Sequence, residues 1–328
     1  MIFLIATACL GALAQVTTTD VSAHRVEMVA VEPGVKLEVL DWGGTGEPLV
    51  FLAGLGGTAH SFDTFAMNFT KDHHVYGITR RGYPASDVPE PVNDNYDSDR
   101  LGDDVLSVLT ALKIERPVLA GHSFAGEEMS SIATRFPNRV AGLIYLDAAN
   151  RYAFSPSDRG DFQIDTLELK RRLNDVLSAI SPTETRAAID AVIGALPQYE
   201  KDLQQQTRDW AHAPDMAPTA YADVVKERAT PEGKIEIAAL HGERRYTQIN
   251  CPVLAIFALP HDHGLPPGPE RDAADAWDLK QFGPLADSFE AGVPTARVVR
   301  IPHAQHAVYK SNEAEVVKEM KAFLKRLN

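Results

Sequence analysis

Two kinds of hydrophobic pattern alternate along most of the chain. Short continuous apolar runs predict strands that are buried on both faces of a sheet. Segments with apolar residues three or four positions apart predict amphipathic helices between those strands. The strands lie at 48–53, 74–79, 117–121, 140–146, 253–259 and 296–301, and the helices at 61–69, 99–112, 125–136 and 313–327. The alternation indicates an α/β fold with a mostly parallel, doubly wound sheet that carries helices on both faces.

A pair of antiparallel strands is predicted before this alternation begins. Residues 25–31 and 35–42 both favour β structure, and the Glu-Pro-Gly sequence between them is a turn signal. We therefore expect a β-hairpin at the start of the fold.

A block in the middle of the chain departs from the alternation. From 150 to 245 the sequence shows no good strand, although strands resume after it. An insert of this kind belongs at the carboxyl ends of the strands, where open α/β sheets bind ligands. We therefore predict a helical lid inserted between two strands of the core. The helical runs are 166–180, 183–196 and 200–211, and the predicted domains are a lid at 150–245 and a core at 25–149 and 246–328.

Ser123 stands where a predicted strand runs directly into a predicted helix, in the segment VLAGHSFAG at 118–126. Such a turn is sharp and needs small residues two places before and two places after the serine. Gly121 and Ala125 occupy those places. The start of the helix then lies beneath Ser123, where its N–H groups and dipole favour a developing negative charge. The motif therefore indicates a nucleophilic serine.

This turn resembles the nucleophile elbow of the α/β-hydrolase superfamily, which usually reads Gly-x-Ser-x-Gly. Ala125 stands where the last glycine is usual, and Gly126 follows directly. The resemblance extends over about 25–327, except for the helical block. It implies an α/β-hydrolase fold and an esterase-like serine hydrolase in which Ser123 attacks a carbonyl group.

The resemblance also implies an oxyanion hole at the glycine-rich segment FLAGLGG, at 51–57. In the family, one backbone N–H of this turn acts together with the N–H of the residue after the nucleophile. These donors would be Leu55 and Phe124, and Gly54 and His122 beside them are predicted to bind substrate. The alternative of a phosphate-binding loop is disfavoured because the Lys-Ser or Lys-Thr pair of such loops is missing.

The general base is expected between the last predicted strand and the last helix. The segment IPHAQHAV at 301–308 matches the family pattern Ile-Pro-x-Ala-x-His, which points to His306. His303 is interpreted as a loop residue near the site. Although His261 and His263 add to the number of histidines, a His-Glu-x-x-His motif is missing, so we predict no metal and no cofactor.

Two aspartates compete for the role of the acid that orients His306. Asp147 follows a predicted strand, 24 residues after Ser123. Some branches of the superfamily, including certain dehalogenases and lactonases, place their acid there. Asp262 follows the next strand, where most branches place it, but the usual Gly-Asp-x-Asp ending is missing. We favour Asp147 and keep Asp262 as the alternative.

Other charged residues near these motifs have simpler interpretations. Glu127 and Glu128 open the helix after Ser123, where acidic side chains favour the helix dipole. Binding of a substrate amine is the alternative for them. Arg80 and Arg81 follow a predicted strand in an Arg-Arg-Gly-Tyr turn, for which we expect a structural role.

Composition excludes several classes of partner. The 328 residues carry 45 acidic and 32 basic side chains, a formal net charge of −13. Nucleic acids and anionic membrane surfaces need a basic footprint, so we expect neither as a partner. We also expect no membrane span, because no apolar run reaches the ~20 residues that cross a bilayer. Of the two cysteines, Cys9 lies in a predicted leader, which leaves Cys251 alone and predicts no intrachain disulfide.

The first residues predict a targeting segment. Residues 1–14 are almost wholly apolar, and the Ala-Leu-Ala at 12–14 fits a signal-peptidase site before Gln15. The basic residue that usually precedes the apolar run is missing, so a misassigned start and a cytoplasmic protein are the alternative. We predict a signal peptide at 1–14 and export to the periplasm or the medium.

These observations predict a lidded serine hydrolase that cleaves a small carboxylic ester or lactone, with Ser123, His306 and Asp147 as its triad. An amide or peptide substrate, as in prolyl-aminopeptidase-like relatives, and cofactor-free haloperoxidase chemistry are the alternatives within this fold. Epoxide hydrolases and dehalogenases of this fold need a carboxylate nucleophile, so we expect Ser123 to exclude both activities. The alternative outside enzymes is a receptor that holds a small ligand without turnover.

Overall fold

A computed structural model describes residues 22–150, 153–156, 160–211 and 218–327. The predicted signal peptide at 1–14 lies outside these residues. Contacts within the described chain divide it into two units, 160–230 and a larger unit from the segments on either side. The predicted bounds of the lid, 150–245, and its role as a lid stay predictions.

The strands of the larger unit form a single sheet of eight within the described residues. They are β1 (Arg25–Glu32), β2 (Val35–Gly43), β3 (Pro48–Leu52), β4 (His74–Ile78), β5 (Val118–His122), β6 (Gly142–Leu146), β7 (Val253–Ala258) and β8 (Ala296–Ile301). Their order across the sheet is β1-β2-β4-β3-β5-β6-β7-β8. Strand β2 runs antiparallel to both of its neighbours, and all other pairs are parallel. The predicted hairpin and the mostly parallel sheet are both confirmed.

The structure has a helix in each of the segments 61–69, 99–112, 125–136 and 313–327, where the alternation predicts one, and it also has helices that the sequence does not predict. The helices are α1 (Asp63–Ala66), α2 (Ser98–Ala111), α3 (Ala125–Arg135), α4 (Phe162–Ser178), α5 (Pro182–Trp210), α6 (Pro218–Arg228), α7 (Pro231–His241), α8 (Pro269–Gly292), α9 (Val308–Ser311) and α10 (Glu313–Leu327). Helix α5 continues through Pro197, where the sequence predicts a break between two helices. A proline costs an interior helix about 3 kcal/mol, which this long helix tolerates. Among the helices of the described residues, none is both long and apolar enough to cross a bilayer.

The core of the larger unit lies on both faces of the sheet because side chains alternate along each strand. In β3, Val50 and Leu52 join one apolar cluster with side chains of α2, α3 and α8. Leu49 and Phe51 point the other way and join a cluster with residues of 59–69 and α10. The central strands are therefore covered on both sides, and their carboxyl ends carry the candidate site.

The unit 160–230 consists of helices α4, α5 and α6. Asp161 caps the N-terminus of α4, and Ser181 caps α5 in a capping box with Glu184. The rings of Phe162 and Tyr199 stack in parallel at 6.3 Å between α4 and α5. These caps and this ring contact stabilise the two long helices of the predicted lid.

Candidate active site

Ser123 lies on the sharp turn between β5 and α3, with a φ of 52° that few non-glycine residues adopt. The turn is tight because α3 starts against the loop after β6. A Cβ atom on Gly126 would lie 2.1 Å from the carbonyl oxygen of Ala148. The chain therefore needs a glycine at 126, one place after the position where the usual motif has its last glycine.

A continuous line of hydrogen bonds runs from Ser123 into the sheet edge. The Ser123 hydroxyl lies 2.8 Å from His306 Nε2, and His306 Nδ1 lies 2.6 Å from Asp147 Oδ2. The loop after β8 supplies the histidine, and the end of β6 supplies the aspartate. This geometry lets Nδ1–H donate to Asp147, which leaves the Nε2 lone pair facing the serine hydroxyl. The arrangement can therefore accept a proton from Ser123.

The structure brings only one of the two candidate aspartates to His306. The carboxylate of Asp262 is exposed and accepts a hydrogen bond from the Gly264 N–H at 2.9 Å, within its own loop. His303, the second histidine of the 301–308 segment, lies 3.7 Å from Asp275. Asp147 is therefore the acid that contacts His306.

Asp147 is a buried carboxylate that three donors hold in its ionised form. Oδ2 accepts from both His306 and His261, and Oδ1 accepts from the Ala258 N–H at 3.0 Å. Burial by itself opposes ionisation, but the hydrogen bonds and the charges of the two histidines outweigh it. The pKa of Asp147 therefore lies well below its usual range.

His122, predicted to bind substrate, packs against the loop that carries His306. Its Nε2–H donates to the His306 carbonyl oxygen at 3.1 Å, and the two imidazole rings lie 4.6 Å apart. Burial, together with the neighbouring His306, lowers the pKa of His122 to about 3. A neutral His122 therefore supports the backbone of the loop, and whether it also contacts substrate stays a prediction.

The glycine-rich turn after β3 lies directly against Ser123. A Cβ atom on Gly54 would lie 2.8 Å from His122 Nδ1 and 3.0 Å from Ser123 Cβ, so only a glycine fits there without displacement. Leu55 and Phe124 follow Gly54 and Ser123, so their backbone N–H groups belong to the two segments that meet at this contact. The two predicted oxyanion donors therefore lie on adjoining segments.

Arg80, for which the sequence predicts a structural role, fixes the path of this turn through contacts that the sequence does not predict. Its guanidinium donates to the carbonyl oxygens of Ala53 at 2.8 Å and Gly54 at 3.2 Å, and its Nε donates to Glu128 of α3. The side chains of Arg80 and Glu128 are only 5% and 3% exposed. The buried ion pair therefore connects the turn after β3 to the helix behind Ser123.

The two glutamates at the start of α3 both accept hydrogen bonds from other groups of the protein. Glu128 pairs with Arg80. Glu127 accepts hydrogen bonds from the Ser98 hydroxyl and the backbone N–H of Arg244, each at 2.6 Å. Burial and the nearby Glu243 raise the pKa of Glu127 well above its usual range. These contacts favour a structural role over the alternative of a substrate amine site.

A second contact that the sequence does not predict is a hydrogen bond from another histidine, His261, to Asp147. His261, in the loop after β7, donates to Asp147 and also contacts Asp278 of α8. The cluster of histidines near 261 was visible in the sequence, but helix α8 was not predicted. Its buried residues are Asp278, Ala286 and Phe289, too few to give an apolar stripe.

Asp147, His261 and His306 each bring one potential ligand atom within 4.8 Å of the others. The two nitrogen atoms that face Asp147 lie at hydrogen-bond distance from it, so each carries a proton toward the carboxylate. A metal ligand nitrogen must be free of its proton. The cluster therefore fits a hydrogen-bonded arrangement better than a metal site.

The sheet, the turn at Ser123 and the loops around it define an α/β-hydrolase architecture. The chain belongs to this family, because the model of the alpha/beta hydrolase fold matches residues 47–313.

Individual relatives resemble parts of the chain. An AB hydrolase superfamily protein of Bacillus subtilis is 35% identical over 128 residues, which are 37% of this chain and 44% of that protein. A bifunctional esterase/perhydrolase of Acinetobacter calcoaceticus is 31% identical over 123 residues, 37% of this chain and 44% of its own. The chain thus matches less than half the length of these curated relatives. The crystal structure of a hydrolase from Pseudomonas aeruginosa aligns with a TM-score of 0.56 at 20% identity, over 92% of this chain and 98% of that one.

Proposed function

We propose that this protein is a serine hydrolase that cleaves a small carboxylic ester or lactone. The observation that carries the proposal is the line of hydrogen bonds from Ser123 through His306 to Asp147. The named esterase activity of the Acinetobacter relative supports an ester as the substrate class. The three side chains act as a catalytic triad in this proposal.

In the first half of the reaction, His306 Nε2 takes the proton of the Ser123 hydroxyl while the oxygen attacks the ester carbonyl carbon. The carbonyl oxygen becomes an oxyanion, which accepts hydrogen bonds from the Leu55 and Phe124 N–H groups. When the tetrahedral intermediate collapses, the protonated His306 gives its proton to the leaving alcohol oxygen. The products of this half are the alcohol and an acyl group on Ser123.

In the second half, water replaces the alcohol. His306 takes a proton from the water as its oxygen attacks the acyl carbonyl carbon, and the oxyanion forms again in the same place. Collapse of this intermediate releases the carboxylic acid, and His306 returns the proton to Ser123. Asp147 stays ionised throughout and keeps the Nδ1–H of His306 directed toward itself.

Hydrogen peroxide in place of water would turn the same acyl group into a peracid. The Acinetobacter relative is named as both an esterase and a perhydrolase, which favours perhydrolysis as the second candidate activity. It needs no residue beyond those of the ester reaction, so the two activities differ only in the attacking molecule.

A chromogenic ester panel tests the proposal. Wild type should hydrolyse p-nitrophenyl esters within a limited range of acyl lengths, or small lactones, and Ser123→Ala should lose about six orders of magnitude in kcat. Ser107→Ala on α2 is the matched control, because its hydroxyl only donates to the Asp103 carbonyl. Turnover retained by Ser123→Ala would overturn the proposal. If wild type hydrolyses no ester or lactone but gains thermal stability from a small ligand, the result would favour the alternative of a receptor that binds a ligand without turnover.

A further inference from the structure

His261 stands between two buried carboxylates. Its Nε2 lies 2.9 Å from Asp147 Oδ2, and its Nδ1 lies 2.9 Å from Asp278 Oδ2. The His261 backbone N–H also donates to the same Asp278 oxygen at 2.8 Å. The side chains of Asp147 and Asp278 are only 3% and 1% exposed. The imidazole therefore bridges the end of β6 and helix α8.

The protons in this bridge can be counted from the geometry. A carboxylate oxygen only accepts hydrogen bonds, and both ring nitrogens of His261 face one. Asp147 already accepts from His306 and from the Ala258 N–H, and Asp278 accepts from a backbone N–H. Both carboxyl groups are therefore arranged as acceptors, and both ring nitrogens of His261 are placed to donate to them.

The charges around His261 also favour a proton on each of its ring nitrogens. Burial alone would lower the pKa of His261, but its hydrogen bonds to Asp147 and Asp278 and their negative charges raise it to about 10. His261 is thus an imidazolium at neutral pH, one cation between two anions.

We propose that His261 is a positioning residue whose fixed positive charge sets the proton affinity of His306 through their shared partner, Asp147. The inference rests on the proposed function, because it concerns the base that would activate Ser123. It extends the line of hydrogen bonds from three side chains to five, in the order Ser123, His306, Asp147, His261 and Asp278.

The direction of the effect follows from charge. The imidazole rings of His261 and His306 lie 6.2 Å apart, and both compete for the same carboxylate oxygen. A positive His261 disfavours a second positive charge on His306, so replacement of His261 by a neutral side chain should favour protonation of His306. At an effective dielectric constant of about 20, removal of a unit charge at this distance should raise the His306 pKa by about one to two units.

Other charged groups around the two rings are few among the described residues. His306 faces Asp147, His122 and His261, and Lys310 adds a positive charge near His122. His263 Nε2 lies 3.8 Å from Asp278, on the far side of the bridge. In this set only His261 contacts the carboxylate that His306 uses.

Nitrogen NMR of the imidazole rings tests the inference without any substrate. In wild type, the His261 ring should carry protons on both nitrogens at neutral pH. In His261→Gln, the titration midpoint of His306 should move up by about one unit or more. In Asp278→Asn, His261 loses its outer anion, so its own midpoint should fall and that of His306 should rise once His261 is neutral. His303→Asn, on the same loop as His306, should change neither midpoint.

The rate at which a fluorophosphonate labels Ser123 gives a second measure of the same midpoint. In His261→Gln, the acidic limb of the pH profile of this labelling rate should move up by the same amount. If His261 only supported the fold, its replacement would instead lower the labelling rate equally at every pH. An unchanged His306 midpoint in a folded His261→Gln or Asp278→Asn variant would overturn the inference, as would a neutral His261 in wild type. A protein that shows these midpoints but hydrolyses no ester would instead refute the proposed function alone.

Discussion

Replacement of Glu128 by alanine should damage both the stability of the protein and the turn that carries the proposed oxyanion donor. The change leaves the Arg80 guanidinium buried without its carboxylate. Arg80 keeps its hydrogen bonds to the Ala53 and Gly54 carbonyl oxygens, and its guanidinium stays over the Phe124 ring at 5.3 Å. These contacts do not neutralise its charge.

The expected magnitude follows from the burial of the pair. Removal of one partner from a buried ion pair costs about 3–5 kcal/mol, and the remaining contacts of Arg80 place this case near the lower end. A domain is stable by only about 5–15 kcal/mol, so the loss is a large fraction of the total. A displaced turn should also weaken the oxyanion interaction, and kcat should fall by about ten- to a hundredfold.

Urea unfolding followed by circular dichroism measures the first effect, and ester turnover of the folded protein measures the second. Asp104→Ala is the control, because Asp104 pairs with the buried Arg81 through two hydrogen bonds of 2.6 and 2.7 Å and with Arg100 at 2.7 Å, whereas Arg80 is the residue that donates to the turn. Arg81 keeps a second ion pair, with Glu32 at 2.8 Å, so this variant should destabilise the protein less than Glu128→Ala and leave kcat nearly unchanged. A loss below about 1 kcal/mol in Glu128→Ala, or equal effects of the two variants on kcat, would refute the reasoning.

Three further predictions concern the site and its support. Asp147→Asn should reduce kcat by about 10⁴ while Asp262→Asn stays within about tenfold of wild type, and steady-state kinetics on both variants checks this. Gly126→Ala should cost about 1–3 kcal/mol in urea unfolding, since its Cβ would meet the Ala148 carbonyl; an unchanged midpoint would contradict this contact. The raised pKa of His261 stabilises the fold fully below its unfolded value of about 6.5, so the free energy of unfolding should fall as pH rises toward 10, and less so in His261→Gln.

Features that depend on local sequence were predictable. The strand, turn and helix around Ser123 are adjacent in the chain, and small residues mark the close approach between them. The segment at 301–308 likewise places His306 between a strand and a helix that are both clear from their hydrophobic pattern. The structure brings these two residues and Asp147 together because parallel strands end at the same edge of the sheet.

Features that depend on pairs distant in sequence were not predictable. Arg80 and Glu128 are separated by 48 positions, and nothing in either segment identifies the other as its partner. Asp278 lies on a helix with few buried apolar residues, so the sequence shows no hydrophobic periodicity that would predict this helix. The contact between Asp278 and His261 could therefore not be predicted either. Charged pairs inside a core follow from the packing of whole elements, which a single sequence pattern does not specify.

Covalent labelling of Ser123 tests the central claim most directly. Wild type should be incubated with a fluorophosphonate probe at neutral pH, and the adduct located by mass spectrometry of peptides. We predict one adduct, on Ser123, that a hydrolysable ester slows by competition and that is lost in Ser123→Ala. His306→Asn should label far more slowly, because no base then faces the hydroxyl. Absence of an adduct on folded wild type, or an adduct on another residue, would contradict the account of Ser123 as the nucleophile.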